Sequence, residues 1–118
     1  MAETGSLTIY RTADQTIRID VVTETGGSTP QTMTGWALAF VIRRSSDDAL
    51  VCSKTTGAGI TIGNGSGTDD RATVVLGDTD VTHHAGRDYY GALWRTDDGN
   101  DTPLWAGHVT ILAAAPQP

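Results

Sequence analysis

Residues 89–112 read YYGALWRTDDGNDTPLWAGHVTIL. Two alternating runs flank a polar turn, DDGND at residues 97–101, and that arrangement predicts a β-hairpin. The stretch holds Tyr89, Tyr90, Trp94 and Trp105, four of the seven aromatic residues in the chain. Neighbours on a strand point to opposite faces, so one packed side cannot take all four. If Tyr89 and Leu93 face the core, Tyr90, Ala92 and Trp94 face outward together. On the second strand Trp105 alternates with Leu104 and Ala106, so one of those two sets is expected outward too. Across a hairpin such residues are neighbours. An apolar patch of this kind points to a contact with another protein, and the expected contact residues are Tyr90, Trp94, Leu104 and Trp105.

Working outward, the same alternation recurs. In TIRIDVV (residues 16–22) Ile17, Ile19 and Val21 share one face, while Thr16, Arg18 and Asp20 share the other. TGWALAFVIRRS (residues 34–45) places Trp36, Leu38, Phe40 and Ile42 on one face and Ala37, Ala39, Val41 and Arg43 on the other. Both faces are apolar through its middle, which predicts a central strand, or one covered on its second side. Shorter strands are expected at LTIYR (7–11), LVCSKTT (50–56), ITI (60–62) and RATVVL (71–76). The glycine-rich segments TETGGSTPQT and GNGSGTDD read as loops, and GDTDVTHHAGRD as a connection with a single helical turn capped by Asp78 or Thr79. The expectation is an all-β fold of about eight short strands, with turn signals spaced as in sandwiches and barrels, in one domain spanning 1–118. Residues 1–6 are expected to be a flexible arm and 113–118 an extended tail. Ile17, Ile19, Val21, Trp36, Leu38, Phe40, Val74 and Leu93 are the predicted core.

The chain has 118 residues, a net charge of −6 and a single cysteine. A domain of this size buries roughly two thirds of its unfolded surface and folds without staples. One cysteine permits no internal disulfide and fits a reducing compartment. Cys52 reads as a small buried hydrophobe, with no basic cluster beside it to activate the thiol. The acidic balance argues against nucleic acid and against anionic membranes as partners. The N-terminal residues MAETGSLT lack the basic and apolar regions of a signal peptide, and no apolar run approaches membrane-spanning length.

Candidate chemistry is thin. His83 and His84 are adjacent, with Asp78, Asp80 and Asp88 nearby, but no recognised metal-ligand spacing joins them. NGSGTDD and DDGND are acidic and glycine-rich, as calcium loops are, yet neither fits the twelve-residue calcium pattern, and tight turns require the same residues. No G-x-S-x-G elbow or phosphate cradle occurs. The reading is therefore no enzyme, no cofactor, no metal and no catalytic residue. A tyrosine entering a late strand, here Tyr89 or Tyr90, matches the tyrosine corner of immunoglobulin-like sandwiches, which is a structural device.

The order LTIYRTADQTIRIDV, MTGWALAFVIRRSSDDALVCSKTT, GITI, RATVVL and ALWRTDDGNDTPLWAGHVTIL, from Leu7 to Leu112, resembles small tailed-phage virion proteins. Those have an immunoglobulin-like β-sandwich similar to the N-terminal domain of phage baseplate upper proteins. The resemblance implies an all-β, single antiparallel β-sandwich, immunoglobulin-like, and a non-enzymatic virion structural protein, assembled in the host cytoplasm and present in many copies per particle. Because this chain is expected to end after the sandwich, with no coiled coil or receptor-binding segment, a capsid decoration or stabilising protein on the outer head surface is the leading expectation. Its partner would then be the major capsid protein. A tail or baseplate adaptor, bound to tail or baseplate proteins, is the alternative. A carbohydrate-binding module, using exposed Trp and Tyr to stack on sugars, is the alternative of another class.

Overall fold

The computed structural model describes residues 3–24, 27–83 and 85–113. Among them there are eight strands and no helix: β1 (Glu3–Tyr10), β2 (Gln15–Asp20), β3 (Leu38–Arg44), β4 (Leu50–Thr56), β5 (Gly59–Gly63), β6 (Arg71–Leu76), β7 (Gly86–Arg95) and β8 (Thr102–Leu112). The hydrogen-bonded order is β1-β8-β7-β3-β4-β5-β6-β2. All pairings are antiparallel except β1 with β8 and β4 with β5. The β4–β5 link is slight: Thr55 with Gly59 and Thr56 with Ile60, across the turn at Gly57. Gly57 has φ +83°, a left-handed conformation that a side chain disfavours.

Register explains the core. Ile60, Val74 and Ile17 align across β5, β6 and β2, as do Ile62, Ala72 and Ile19, and both rows point inward. Across the other strands Phe40 aligns with Leu93 and Trp105, and Leu7 with Val109 and Tyr89. Phe40, Leu93, Tyr89, Val109 and Val74 are fully buried. Each such side chain contributes about 1.5–3 kcal/mol by leaving water.

Several expectations shift. β1 begins at Glu3, inside the stretch expected to be an arm, and its parallel pairing with β8 holds it from there. Residues 114–118 of the expected tail lie outside the described residues. Trp36 precedes β3 and is half-buried, with the Arg95 guanidinium 3.9 Å above its ring. Ile19 is also half-buried. Met33, in a stretch that shows no strand pattern, is fully buried, held by its N–H donating to the Asp69 carbonyl. The expected helical turn after Gly77 is a hydrogen-bonded turn: Asp80 N–H donates to the Gly77 carbonyl, and the Gly77 N–H to the Asp80 carboxylate at 2.6 Å. That side-chain bond satisfies the Gly77 N–H at the start of the turn.

Candidate protein-docking face

Alternation along β7 divides its residues cleanly. Tyr89, Gly91 and Leu93 are buried, whereas Tyr90, Ala92 and Trp94 turn outward, with Tyr90 47% exposed and Trp94 half-buried. Register extends that outward side over four strands. Arg43 lies beside Tyr90, Val41 beside Ala92 and Ala39 beside Trp94 on β3. On β8, His108 pairs with Tyr90, Ala106 with Ala92 and Pro103 with Trp94. Small side chains thus form the middle, and the two aromatics stand at either end. The result is a shallow hollow of about 280 Å³ lined by Val41, Arg43, Tyr90, Ala92, Trp94 and Ala106, with Asp48 on its rim. Exposed Leu50, opposite Arg43 on β4, extends the apolar surface.

Tyr90 is held in place. Its ring centroid lies 4.4 Å from that of His108, and its hydroxyl is 3.2 Å from His108 Nε2. Arg43 donates to the Asp48 carbonyl at 3.1 Å. Arg44, one residue on, is paired with Asp47 at 2.7 Å, which holds the Asp47 carboxyl down at about 2.

Leu104 and Trp105 do not join this face, contrary to the sequence expectation. Leu93 pairs with Trp105 but Trp94 pairs with Pro103, so Leu104 is an extra residue in β8. A β-bulge of this kind puts two residues opposite one and breaks strict alternation. Leu104 is consequently buried at 3% exposure, and Trp105 packs partly buried against the core. The Trp105 ring stacks on Phe40, with centroids 6.3 Å apart and planes 18° from parallel.

Room for that indole comes from glycine. Gly5, Gly107 and Gly91 align across β1, β8 and β7. A Cβ on Gly91 would come within 3.2 Å of the Trp105 ring, and one on Gly5 within 3.4 Å of its Nε1. A Cβ on Gly107 would overlap the Gly5 carbonyl, so β1 sits on β8 at a distance that only glycine permits. Three glycines scattered through the chain become one floor only once the register is known.

The remaining candidates have structural surroundings. Tyr89 is the buried member of the tyrosine pair, and burial pushes its phenol above the ordinary range. His83 meets it edge-on, with centroids 6.3 Å apart. His84 lies outside the described residues, among which no three His, Cys, Asp or Glu side chains converge as a metal site requires. Asp78 N–H donates to Asp14, Asp80 pairs with Lys54 at 2.9 Å, and the Asp88 carbonyl accepts from Ser45. In the NGSGTDD loop Asp70 is buried and accepts from Gly65 N–H at 2.7 Å and Gly67 N–H at 3.2 Å. Those bonds, foremost that from Gly65, hold its carboxyl below the ordinary range. In DDGND, Asp98 accepts from Asn100 N–H and the Thr102 hydroxyl. These carboxylates close their own turns. Cys52 is buried, and desolvation pushes its thiol up to about 11, well away from the thiolate that nucleophilic chemistry needs.

No protein-family model matches the chain, and no curated protein does. Among solved structures, the second Ig domain from mouse polymeric immunoglobulin receptor is similar at a TM-score of 0.48 and 12% identity, over 97% of this chain and 99% of that one. A likeness at that level fixes neither fold detail nor function.

Proposed function

We propose that the chain is a non-enzymatic structural protein of a bacteriophage virion, an immunoglobulin-like β-sandwich that decorates the outer head surface. It docks on the capsid protein through the outward face of β8-β7-β3-β4. The observation that carries the docking reading is the pairing of exposed Tyr90 with half-buried Trp94 around small residues on one sheet face. Aromatics flanking a shallow apolar centre are the usual anchors of protein contacts, often at more than about 2 kcal/mol each.

Strand order supports the fold half of the proposal. With the slight β4–β5 link taken as a corner, β1-β8-β7-β3-β4 is one sheet and β5-β6-β2 the other, with the fully buried side chains between them. That division, with Tyr89 buried near the start of a late strand, supports the immunoglobulin-like reading. The virion half rests on the sequence resemblance between Leu7 and Leu112. A tail or baseplate adaptor would use the same face on a different partner, and particle imaging separates the two. The carbohydrate reading is less well supported, because Tyr90 is engaged by His108 instead of lying free and flat.

The test is Trp94→Ser, measured for stability and for occupancy on purified particles. Stability is expected to change by less than about 1 kcal/mol, as at a surface site, while occupancy falls sharply. Full occupancy by a folded variant would exclude this face as the contact. Unfolding would make Trp94 a core residue.

A further inference from the structure

The cations of this acidic chain are unevenly neutralised. Among the described residues four of the eight Lys and Arg side chains hold carboxylates: Arg44 with Asp47, Lys54 with Asp80, Arg71 with Asp20 and Arg95 with Asp97. Arg11, Arg18, Arg43 and Arg87 hold none among those residues. Arg11 donates to the Thr82 carbonyl and Arg18 stands on the far sheet, whereas Arg43 and Arg87 stand on either side of Tyr90. Arg43 is its neighbour on β3, where the guanidinium bonds only the Asp48 backbone carbonyl. Arg87 is three residues ahead of it on β7 and lines a second, adjoining hollow of about 510 Å³ with Thr8, His108, Thr110 and Leu112. The polar lining of that hollow is a guanidinium, an imidazole and two hydroxyls, with no carboxylate. In the first hollow Asp48 is the lone carboxylate. A chain of net charge −6 therefore carries a strip of donors and positive charge along its aromatic face.

We infer that this strip receives an acidic segment of the partner protein, with carboxylates at Arg43 and Arg87 and an apolar side chain in the hollow between Tyr90 and Trp94. The inference rests on the docking reading above and specifies its partner's chemistry. Guanidinium–carboxylate bonds are strong and can be bidentate. On a chain of net charge −6 the attraction for an acidic segment must be local, and this strip supplies it. A second copy of the chain is a poorer occupant, because a two-fold contact sets the same cationic strip against itself. Nucleic acid would meet two unpaired guanidiniums on a chain whose overall field repels it.

The experiment titrates the isotope-labelled full chain with a blocked peptide alternating Glu and Leu, and with a Lys–Leu control, while amide resonances are followed. The Glu–Leu peptide is expected to shift residues 41–43, 87–94 and 106–110, and to bind at least roughly tenfold more weakly in high salt. The double variant Arg43→Glu with Arg87→Glu is expected to lose on the order of tenfold in affinity or more. Its thermal midpoint checks folding, and Arg43→Gln with Arg87→Gln replaces it should the reversed charges unfold the chain. Preference for the Lys–Leu peptide, shifts confined to β5, β6 and β2, or undiminished binding by the variant would each overturn the inference. So would tighter binding of a short DNA strand at the same residues. On particles, loss of docking by Trp94→Ser with none by the arginine variant sinks the acidic partner and leaves the docking face standing. Loss by neither sinks both.

Discussion

The two outer faces of this molecule are built by the same alternation and end up chemically opposite. On β5, β6 and β2 the outward row is Thr61, Thr73 and Arg18, followed by Gly63, Arg71 and Asp20. Arg71 and Asp20 close an ion pair at 2.7 Å there, and Val75 is the exposed large apolar side chain. On β8, β7, β3 and β4 the outward rows are Ala106, Ala92, Val41 and Ser53, then Pro103, Trp94, Ala39 and Thr55, then His108, Tyr90, Arg43 and Leu50. The inner faces are equally apolar on both sides. Folding alone requires only the inner faces; the first outer face is an ordinary solvated sheet, and the outward aromatics of the second are what the docking proposal accounts for.

The comparison holds only if both outer faces overlie one shared core. Phe40 is the residue that tests this, because it is fully buried, lies on β3 beneath the aromatic face and stacks with Trp105. Phe40→Ala is expected to cost about 3–5 kcal/mol through lost burial and the cavity left behind. Denaturant unfolding should report this as one cooperative transition for the whole chain. A loss below about 1 kcal/mol would place Phe40 outside the core and dissolve the distinction between inner and outer.

A smaller effect is expected at Gly107, and a more local one. Alanine there must push β1 away from β8, because the added Cβ overlaps the Gly5 carbonyl. A cost of about 1–3 kcal/mol follows from overpacking. Hydrogen exchange should accelerate across residues 3–10 while β5, β6 and β2 remain protected. Equal loss of protection in both regions would mean that β1 is integral to the fold. Unchanged protection would mean that the glycine floor is not needed.

Legibility in the sequence followed the same division. The inward rows were readable, since Ile17, Phe40, Val74 and Leu93 fall where period-two alternation puts them. So was the outward turn of Tyr90 and Trp94. What failed was everything that depends on a second strand. The bulge that buries Leu104 is a property of the β7–β8 register, and the alternation that sets Trp105 on one side with Val109 and Ile111 carries no trace of it. Gly5, Gly91 and Gly107 are far apart in sequence and align only through the β1–β8–β7 register. Met33 was missed because a loop buries side chains without periodicity. The arginine strip has no sequence signal for a further reason: which arginines lack a carboxylate partner, Arg43 and Arg87 among them, is decided in space.

The finest test sets one exposed residue of each outer face against the other. Val75 and Tyr90 are 51% and 47% exposed, so burial treats them alike. Val75→Thr keeps the β-branched shape on a sheet face already rich in threonine, and its stability change should stay within about 0.5 kcal/mol. Tyr90→Thr gives up the ring contact with His108, a cross-strand pair worth about 0.2–1 kcal/mol. Both variants should therefore fold and melt close to the parent. Under the docking proposal, particle occupancy is where they should part: unchanged for Val75→Thr, reduced for Tyr90→Thr. Were the two to lose occupancy equally, exposure alone would explain it and the aromatic face would have no special standing. Were Val75→Thr the worse of the two, the polar sheet would be the docking side.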